Sequence, residues 1–403
     1  MPFDLTAARR ARTPAHRPRG SRPRRWRFWA VAYTLLILLT GTNLPTPLYR
    51  GYAVKFGFSP LVVTLIFAAY AAVLIPSLLV AGPLSDVVGR RAVLVPAVAL
   101  AALGSLVFAL AEGTAWLFAA RILQGAALGA ASGPLTAALT ELEPGGDRRR
   151  AALVATVASA GGLGLGPVLA GLLAQYAPAP HVLPFAVELV LLVPGAATIA
   201  TLPTRRSGAR WVPRRPQIPA VTRTVFATSG TASFLAFAVI GLFLTLVPTY
   251  VATLSGSGNP LLGAAVVVLM LACSTLAQLA AYGRPARRLE SAGLPLLATG
   301  LVLLAAAGTL SSLALLLVAT VIAGVGQGLV FLGGLTAVNQ AAPAGRHADI
   351  LSSFYVVLYL GVGVPVVGVG FLATAVGLLV AVRYFAGVIA GLCVVVLLAR
   401  ARR

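Results

Sequence analysis

The sequence predicts an all-α membrane protein: twelve transmembrane helices in two pseudo-symmetric six-helix bundles. Three observations predict it. The chain has an apolar excess that no water-facing surface can coat, its arginines gather at alternate connections, and short motifs recur about two hundred residues apart.

Of 403 residues, 59% are hydrophobic and only 10% charged, and the mean hydropathy is +0.94. A soluble domain is about 45–50% apolar and about 25% charged, so this chain needs lipid to face its surplus. The net charge of +22 invites a nucleic-acid reading. The distribution of that charge rejects it. Of the 31 Lys and Arg, 27 lie in the arm before residue 28, at the tail, and in the connections holding Arg90–Arg91, Arg148–Arg150, Arg205–Arg223, Arg284–Arg288 and Arg346. The other connections hold only Arg50, Lys55 and Arg383, and Arg121 lies inside an apolar run. Such alternation follows the positive-inside rule, which makes both termini cytoplasmic and the span count even. Cys273 and Cys393 sit mid-run as small hydrophobes, and His16, His181 and His347 fall in connections or tails. No metal site, cofactor or intramembrane histidine relay is expected.

Apolar runs able to cross ~30 Å of hydrocarbon fall at 28–49, 60–81, 92–111, 116–139, 151–176 and 182–202. Six more follow at 225–251, 261–281, 294–310, 313–338, 352–373 and 376–398. They are numbered here as spans 1 to 12. Residues 1–27 read as a disordered basic cytoplasmic tail, too long and arginine-rich for a signal-peptide n-region. Residues 203–223, rich in Arg and Pro, read as a cytoplasmic linker between bundles at 28–202 and 224–399, with 400–403 a short tail.

The halves echo each other. Gln124-Gly125 in span 4 recurs as Gln327-Gly328 in span 10, at an offset of 203. Gly166-Pro167 in span 5 recurs loosely as Gly363-Val364-Pro365 in span 11, and Arg90-Arg91 recurs as Arg287-Arg288. Three matches at nearly one spacing predict a duplicated six-helix unit, an architecture that places substrate near mid-membrane between the halves.

Four motifs carry chemistry. After span 2 the chain reads GPLSDVVGRR, with Gly82 and Gly89 expected to turn the chain and Asp86 among Arg90 and Arg91. Span 4 places Arg121 and Gln124 on one face above a stripe of Gly125, Gly129 and Gly133. An arginine inside a span costs about 2.5–3.5 kcal/mol on insertion scales and needs a partner or a wet cavity. Span 5 carries SAGGLGLGPVLAG, in which Pro167 interrupts the hydrogen-bond ladder beside small residues. Span 1 ends TGTNLPTPLYR, where Asn43, Pro45 and Pro47 imply a broken helix whose polar groups need a partner.

The loop after span 2 resembles the major facilitator superfamily pattern G-x-L-x-D-R-x-G-R-R, matching at Gly82, Leu84, Asp86, Gly89, Arg90 and Arg91, with Val87 in place of the basic residue. Arg121, Gln124 and Gly125 match the family's R-x-x-Q-G, and Gly162, Gly166, Pro167 and Gly171 match the span 5 pattern of its drug:proton antiporters, with Ala170 replacing one glycine. The resemblance implies that Asp86 braces the start of span 11 in the outward-facing state and that Arg121 takes part in proton transfer or anion contact. It also implies a central cavity lined by spans 1, 4, 7 and 10. Asn43, Gln124, Phe234, Phe237, Gln327 and Phe331 are then candidate lining residues, although lipid contact or core packing is the better reading of any single phenylalanine.

Glu188 is the one carboxylate placed well inside an expected span, roughly 9 Å deep at the helical rise. It is expected to titrate during proton coupling or to pair with Arg121. The resemblance implies a monomeric secondary transporter of the bacterial inner membrane, not an enzyme, using a proton gradient and no cofactor to export a small amphipathic molecule by alternating access. An uptake symporter or uniporter of the same fold stays open, as does a receptor. A membrane-embedded enzyme finds no support in a P-loop, H-E-x-x-H or G-x-S-x-G motif.

Overall fold

The computed structural model describes residues 22–203, 218, 222–343 and 347–401. The basic tail up to residue 21 and nearly all of the expected linker lie outside the described residues. Among the described residues, twelve helices are long and apolar enough to cross a membrane. Spans 1 to 6 are Arg22–Asn43, Pro60–Val88, Arg90–Ala109, Thr114–Leu142, Arg148–Tyr176 and Leu183–Ala200. Spans 7 to 12 are Arg223–Thr245, Pro260–Ala280, Ala286–Thr309, Leu313–Ala341, His347–Val376 and Leu378–Ala401. An even count puts the first and last spans' outer ends, and the arginine clusters, on one side of the membrane.

Several helices outrun the apolar runs at that side, because backbone hydrogen bonding continues into the interface after the hydrocarbon ends. Span 1 begins at Arg22, inside the expected tail, and span 9 at Ala286. Span 2 also corrects the reading of its motif. Gly82 and Pro83 lie inside the helix, which runs on to Val88, and only Gly89 turns the chain, at φ +95°. Exposed Trp26, Trp29 and Tyr282 ring the arginine-bearing side, and Trp116, Tyr176 and Tyr384 ring the other. Aromatic side chains gather at both interfaces of a membrane in this way.

Prolines break two spans at the far side. Past Asn43 the chain forms a 3-10 turn, Thr46–Leu48, and a short helix, Tyr49–Phe56. The run expected at 225–251 divides at Leu246, and a second helix, Val247–Ser255, carries Pro248 in its first turn. Pro lacks the N–H that would continue the ladder.

The duplication extends to packing. In one half Tyr52 donates its hydroxyl to the Phe108 carbonyl at 3.4 Å; in the other Tyr250 donates to the Leu304 carbonyl at 2.9 Å. Gly125 sits against the Tyr70 carbonyl and Gly328 against that of Ser274, so neither has room for a side chain.

Each bundle has its own apolar core. They meet through span 2 against span 11 and span 5 against span 8. The contacts lie from mid-membrane to the far side. There Thr64 meets Gly370, Gly171 meets Leu261 and Ala264, and Phe67, Leu244, Val267 and Val362 form a shared apolar plug. Two polar latches close the rim, Leu61 N–H to Thr374 Oγ1 at 3.2 Å and Arg50 Nη1 to the Ser257 carbonyl at 3.1 Å. Toward the arginine-bearing side, Gly133, Thr136 and Thr140 of span 4 and Thr156 of span 5 are exposed. A polar stripe on an inner helix faces a water-filled cleft rather than lipid. The molecule is sealed on the far side and open on the side of its arginines.

Candidate functional site

The break in span 1 builds the site. Pro45 cannot give the Gly41 carbonyl the N–H it would receive four residues along a helix. Gln124 Nε2 of span 4 donates to that oxygen at 3.2 Å, beside a 3.3 Å bond from Leu44 N–H three residues along. Arg121 Nη1 donates to the adjacent Thr42 carbonyl at 2.7 Å and to Gln124 Oε1 at 3.2 Å, while its Nε donates to the Tyr49 hydroxyl at 2.6 Å. The rings of Tyr49, Phe67, Tyr70 and Phe108 stand 5.4–5.8 Å from the guanidinium carbon, within reach of a cation–π attraction. Arg121 is fully buried, and its Nη2 has no hydrogen-bond partner.

Glu188 reaches the same place from span 6. It is 1% exposed and accepts a 2.6 Å hydrogen bond from the Ser105 hydroxyl of span 3. Its carboxylate lies so close to Gly41 that a β-carbon there would overlap it. Gly41 is thus the shared wall, with Glu188 against its α-carbon and Gln124 on its carbonyl. A void of about one water's volume opens between Gly41, Thr42, Gln124 and Glu188.

The span 5 motif grips the back of the same break. Gly162 lies on the Leu36 carbonyl and Gly166 on the Thr40 carbonyl and Asn43. Pro167 deprives the Leu163 carbonyl of its N–H, and Asn43 Nδ2 donates to that oxygen at 3.0 Å. Each proline thus removes the helical donor four residues on from one carbonyl, and a side-chain amide from a neighbouring helix donates to each of those oxygens.

The structure brings Asn43, Arg121, Gln124, Gly125, Gly162, Gly166, Pro167 and Glu188 into one half-bundle unit. Gly171 lies apart, at the seam with span 8. Gln327 is also apart. It is buried in the other bundle, where Ser274 donates to it at 2.5 Å. Phe237 and Phe331 meet edge to face at 5.2 Å, and Phe234 is half-buried on span 7. Asp86 does not reach span 11 in this conformation. Arg90 holds it at 2.5 Å and also bonds Glu141 at 3.0 Å, a cluster that caps spans 2, 3 and 4. Arg91 is exposed.

Sequence reasoning missed Tyr49, Ser105 and Gly41, whose residue types are common in any span. It also missed Glu290, which lies fully buried in the first turns of span 9 and pairs with Arg400 of span 12. The apolar run expected to start at 294 left Glu290 outside the membrane. That pair sits at the arginine-bearing side and staples spans 7, 9 and 12, since Arg400 also donates to Ser229 Oγ at 3.1 Å.

The fold and these motifs have known counterparts. The model of the Major Facilitator Superfamily matches residues 29–364. The MdtD protein of Cronobacter sakazakii, which carries a multidrug-resistance name, is 31% identical over 190 residues, 45% of this chain and 40% of that protein. The MdtD protein of an Escherichia coli strain is 33% identical over 155 residues, 38% of this chain and 32% of its own. The chain thus spans two-fifths or less of these curated relatives. Among solved structures, a peptide transporter POT variant bound to sulfate superposes with a TM-score of 0.78 at 16% identity, covering 94% of each chain. A bacterial homologue of the lysosomal transporter Spinster, inward-facing and occupied, superposes at 0.76 with 15% identity, covering 95% of this chain and 98% of its own. A family match over most of the chain, on a twelve-span duplicated fold with its motifs in register, makes this protein a transporter of the Major Facilitator Superfamily.

Proposed function

We propose that the protein exports a small amphipathic molecule across a bacterial cytoplasmic membrane against inward proton flow, by alternating access, as a monomer with both termini cytoplasmic. The single observation that carries the reading is Glu188, a buried carboxylate set against the hinge of span 1 beside a buried arginine with a spare N–H. A buried charge is costly unless paired or neutralised. Glu188 has two ways to settle: bind a proton, or draw Arg121 toward it. The second pulls on the Thr42 carbonyl and Gln124, and through them on the break in span 1. The span 5 glycines and Pro167 pack on the other side of that break, and span 5 is one of the two helices at the seam with the partner bundle. Proton binding at Glu188 is in this way connected mechanically to the rocking surface. The void between Gln124 and Glu188 supplies room for a water to carry the proton.

Export is the direction favoured by the span 5 pattern and by the multidrug-resistance name of the MdtD relatives. The test is efflux of a fluorescent amphiphile from cells stripped of their own pumps, with and without a protonophore, for wild type and Glu188→Gln. Wild-type efflux should collapse with the protonophore. Glu188→Gln should retain facilitated exchange but lose proton-driven extrusion. Unchanged, protonophore-sensitive efflux in Glu188→Gln removes the residue from coupling.

A further inference from the structure

Resting on that reading and extending it to the cargo, we infer that the cleft takes uncharged or anionic aromatic amphiphiles and rejects cations. The chain has nine Asp and Glu, and Asp4 lies outside the described residues. Of the rest, Asp86 and Glu141 are held by Arg90, Glu143 by Arg150, and Glu290 by Arg400. Asp147 caps the first backbone N–H groups of span 5. Glu112 is exposed on the sealed side, and Asp349 sits in the first turn of span 11, at the mouth. Glu188 is turned into its own bundle, toward Ser105 and Gly41. A cation at mid-cleft therefore meets no carboxylate.

Positive charge is near at both ends of the path. Arg91, Arg148–Arg150, Arg284, Arg287 and Arg288 are exposed around the open side, and such a rim concentrates anions and repels cations. Deeper in, Arg121 holds an unpartnered N–H behind the ring of Tyr70.

The walls between these charges are aromatic and hydroxylated. Tyr359 of span 11 packs on the core of the opposite bundle and lies within electrostatic reach of the buried Tyr70. Tyr355 stands one turn before Tyr359 and clusters with Phe237 and Phe331, which meet edge to face. Rings flank a flat apolar body, and Tyr359 offers a phenolic donor to an acidic or alcoholic head on the line toward Arg121. This arrangement spans both bundles, so a bound head group touches the half that moves and the half that holds the charge.

The experiment is equilibrium dialysis of the full chain in nanodiscs, corrected by empty discs, against three probes that share one ring system. They are naphthalene-2-carboxylate, 2-naphthylmethanol and 2-naphthylmethylammonium. The carboxylate and the alcohol should bind at least about tenfold more tightly than the ammonium. Tyr359→Phe should weaken the carboxylate and alcohol by about 3- to 10-fold, the loss of one hydrogen bond, and leave the ammonium unchanged. Ammonium binding equal to or tighter than carboxylate overturns the inference. So does failure of all three to bind, or an equal loss for all three in Tyr359→Phe. Dialysis needs no gradient, so a preference found alongside protonophore-insensitive efflux sinks only the coupling reading, and the converse result sinks only this one.

Discussion

Asn43 and Pro167 form a pair whose energetics are open to direct measurement. Pro167 leaves the Leu163 carbonyl without a helical donor, and Asn43 Nδ2 fills the gap at 3.0 Å. Asn43→Ala removes that donor and leaves a carbonyl unpaired between two apolar helices. Leaving a buried acceptor unmet costs about 1–3 kcal/mol, and hydrogen bonds measured between membrane helices average about 0.6 kcal/mol. The Leu163 oxygen is partly buried, so the expected loss is about 1 kcal/mol. Pro167→Ala restores an N–H to the Leu163 carbonyl and makes Asn43 redundant there. Asn43→Ala should then cost about 1 kcal/mol with Pro167 present and close to nothing in the Pro167→Ala background. The assay is a double-mutant cycle on reversible unfolding in mixed micelles, whose coupling term isolates the pair. Strictly additive losses would refute the claim that the proline created the need for the amide.

Other consequences are equally concrete. Gly41→Ala places a methyl group on the Glu188 carboxylate; transport should fall sharply with an overpacking cost of about 1–3 kcal/mol, and the double variant with Glu188→Ala should regain stability but not proton-driven transport. Arg50→Ala removes the hydrogen bond to Ser257 across the sealed rim. The bond is exposed and worth about 1 kcal/mol at most, so the outward-open fraction should rise by a few-fold, read as longer distances between spin labels on the far side. His181, in the connection before span 6, packs against Tyr52 with ring centroids 4.6 Å apart and the rings tilted by 53°, and burial and then Lys55 hold its pKa below the ordinary 6.5. The unfolded chain then binds the proton more readily, so stability contributed at neutral pH is lost as the pH falls below about 6.5. His181→Gln should flatten the fall in Tm between pH 7.5 and pH 5, and an unchanged slope would exclude His181 as its cause.

The spans, the duplication and most of the half-bundle site were legible in the sequence, and physics explains why. Lipid imposes long apolar runs and sorts arginines by side, so the span count follows from the order of apolar runs and arginine clusters along the chain. Proline carries its consequence with it: wherever Pro45 or Pro167 falls, a carbonyl four residues earlier needs a new donor, and Asn43 and Gln124 stand out as polar residues in apolar helices. Tertiary choices left no such mark. Nothing local distinguishes Ser105 from any small residue of span 3, or says that Gly41 rather than Gly125 meets a carboxylate. Glu290 was hidden for a different reason. A charge that is buried by pairing with Arg400, more than a hundred residues away, looks from the sequence like a charge left in water.

The two halves share a scaffold and differ in chemistry. At the offset of 203 that relates Gln124 to Gln327, Arg121 falls on Gly324, which packs directly against the Met270 carbonyl. Where the first half holds a guanidinium in a cage of rings, the second closes helix on helix. Gln327 accordingly faces Ser274 of its own bundle and satisfies itself at 2.5 Å, with no tie to a broken helix. The second half's buried pair, Glu290 with Arg400, lies at the arginine-bearing end of its bundle and not at a broken helix. The two halves meet along the seams at spans 2–11 and 5–8, where, apart from the Leu61–Thr374 latch, contacts are apolar or formed by small residues such as Gly171, Gly363 and Gly370. The predicted asymmetry is therefore specific: charge-altering substitutions in spans 1, 4 and 6 should change coupling, while packing substitutions at Gly324 or Gly328 should change stability and leave the response to a protonophore intact.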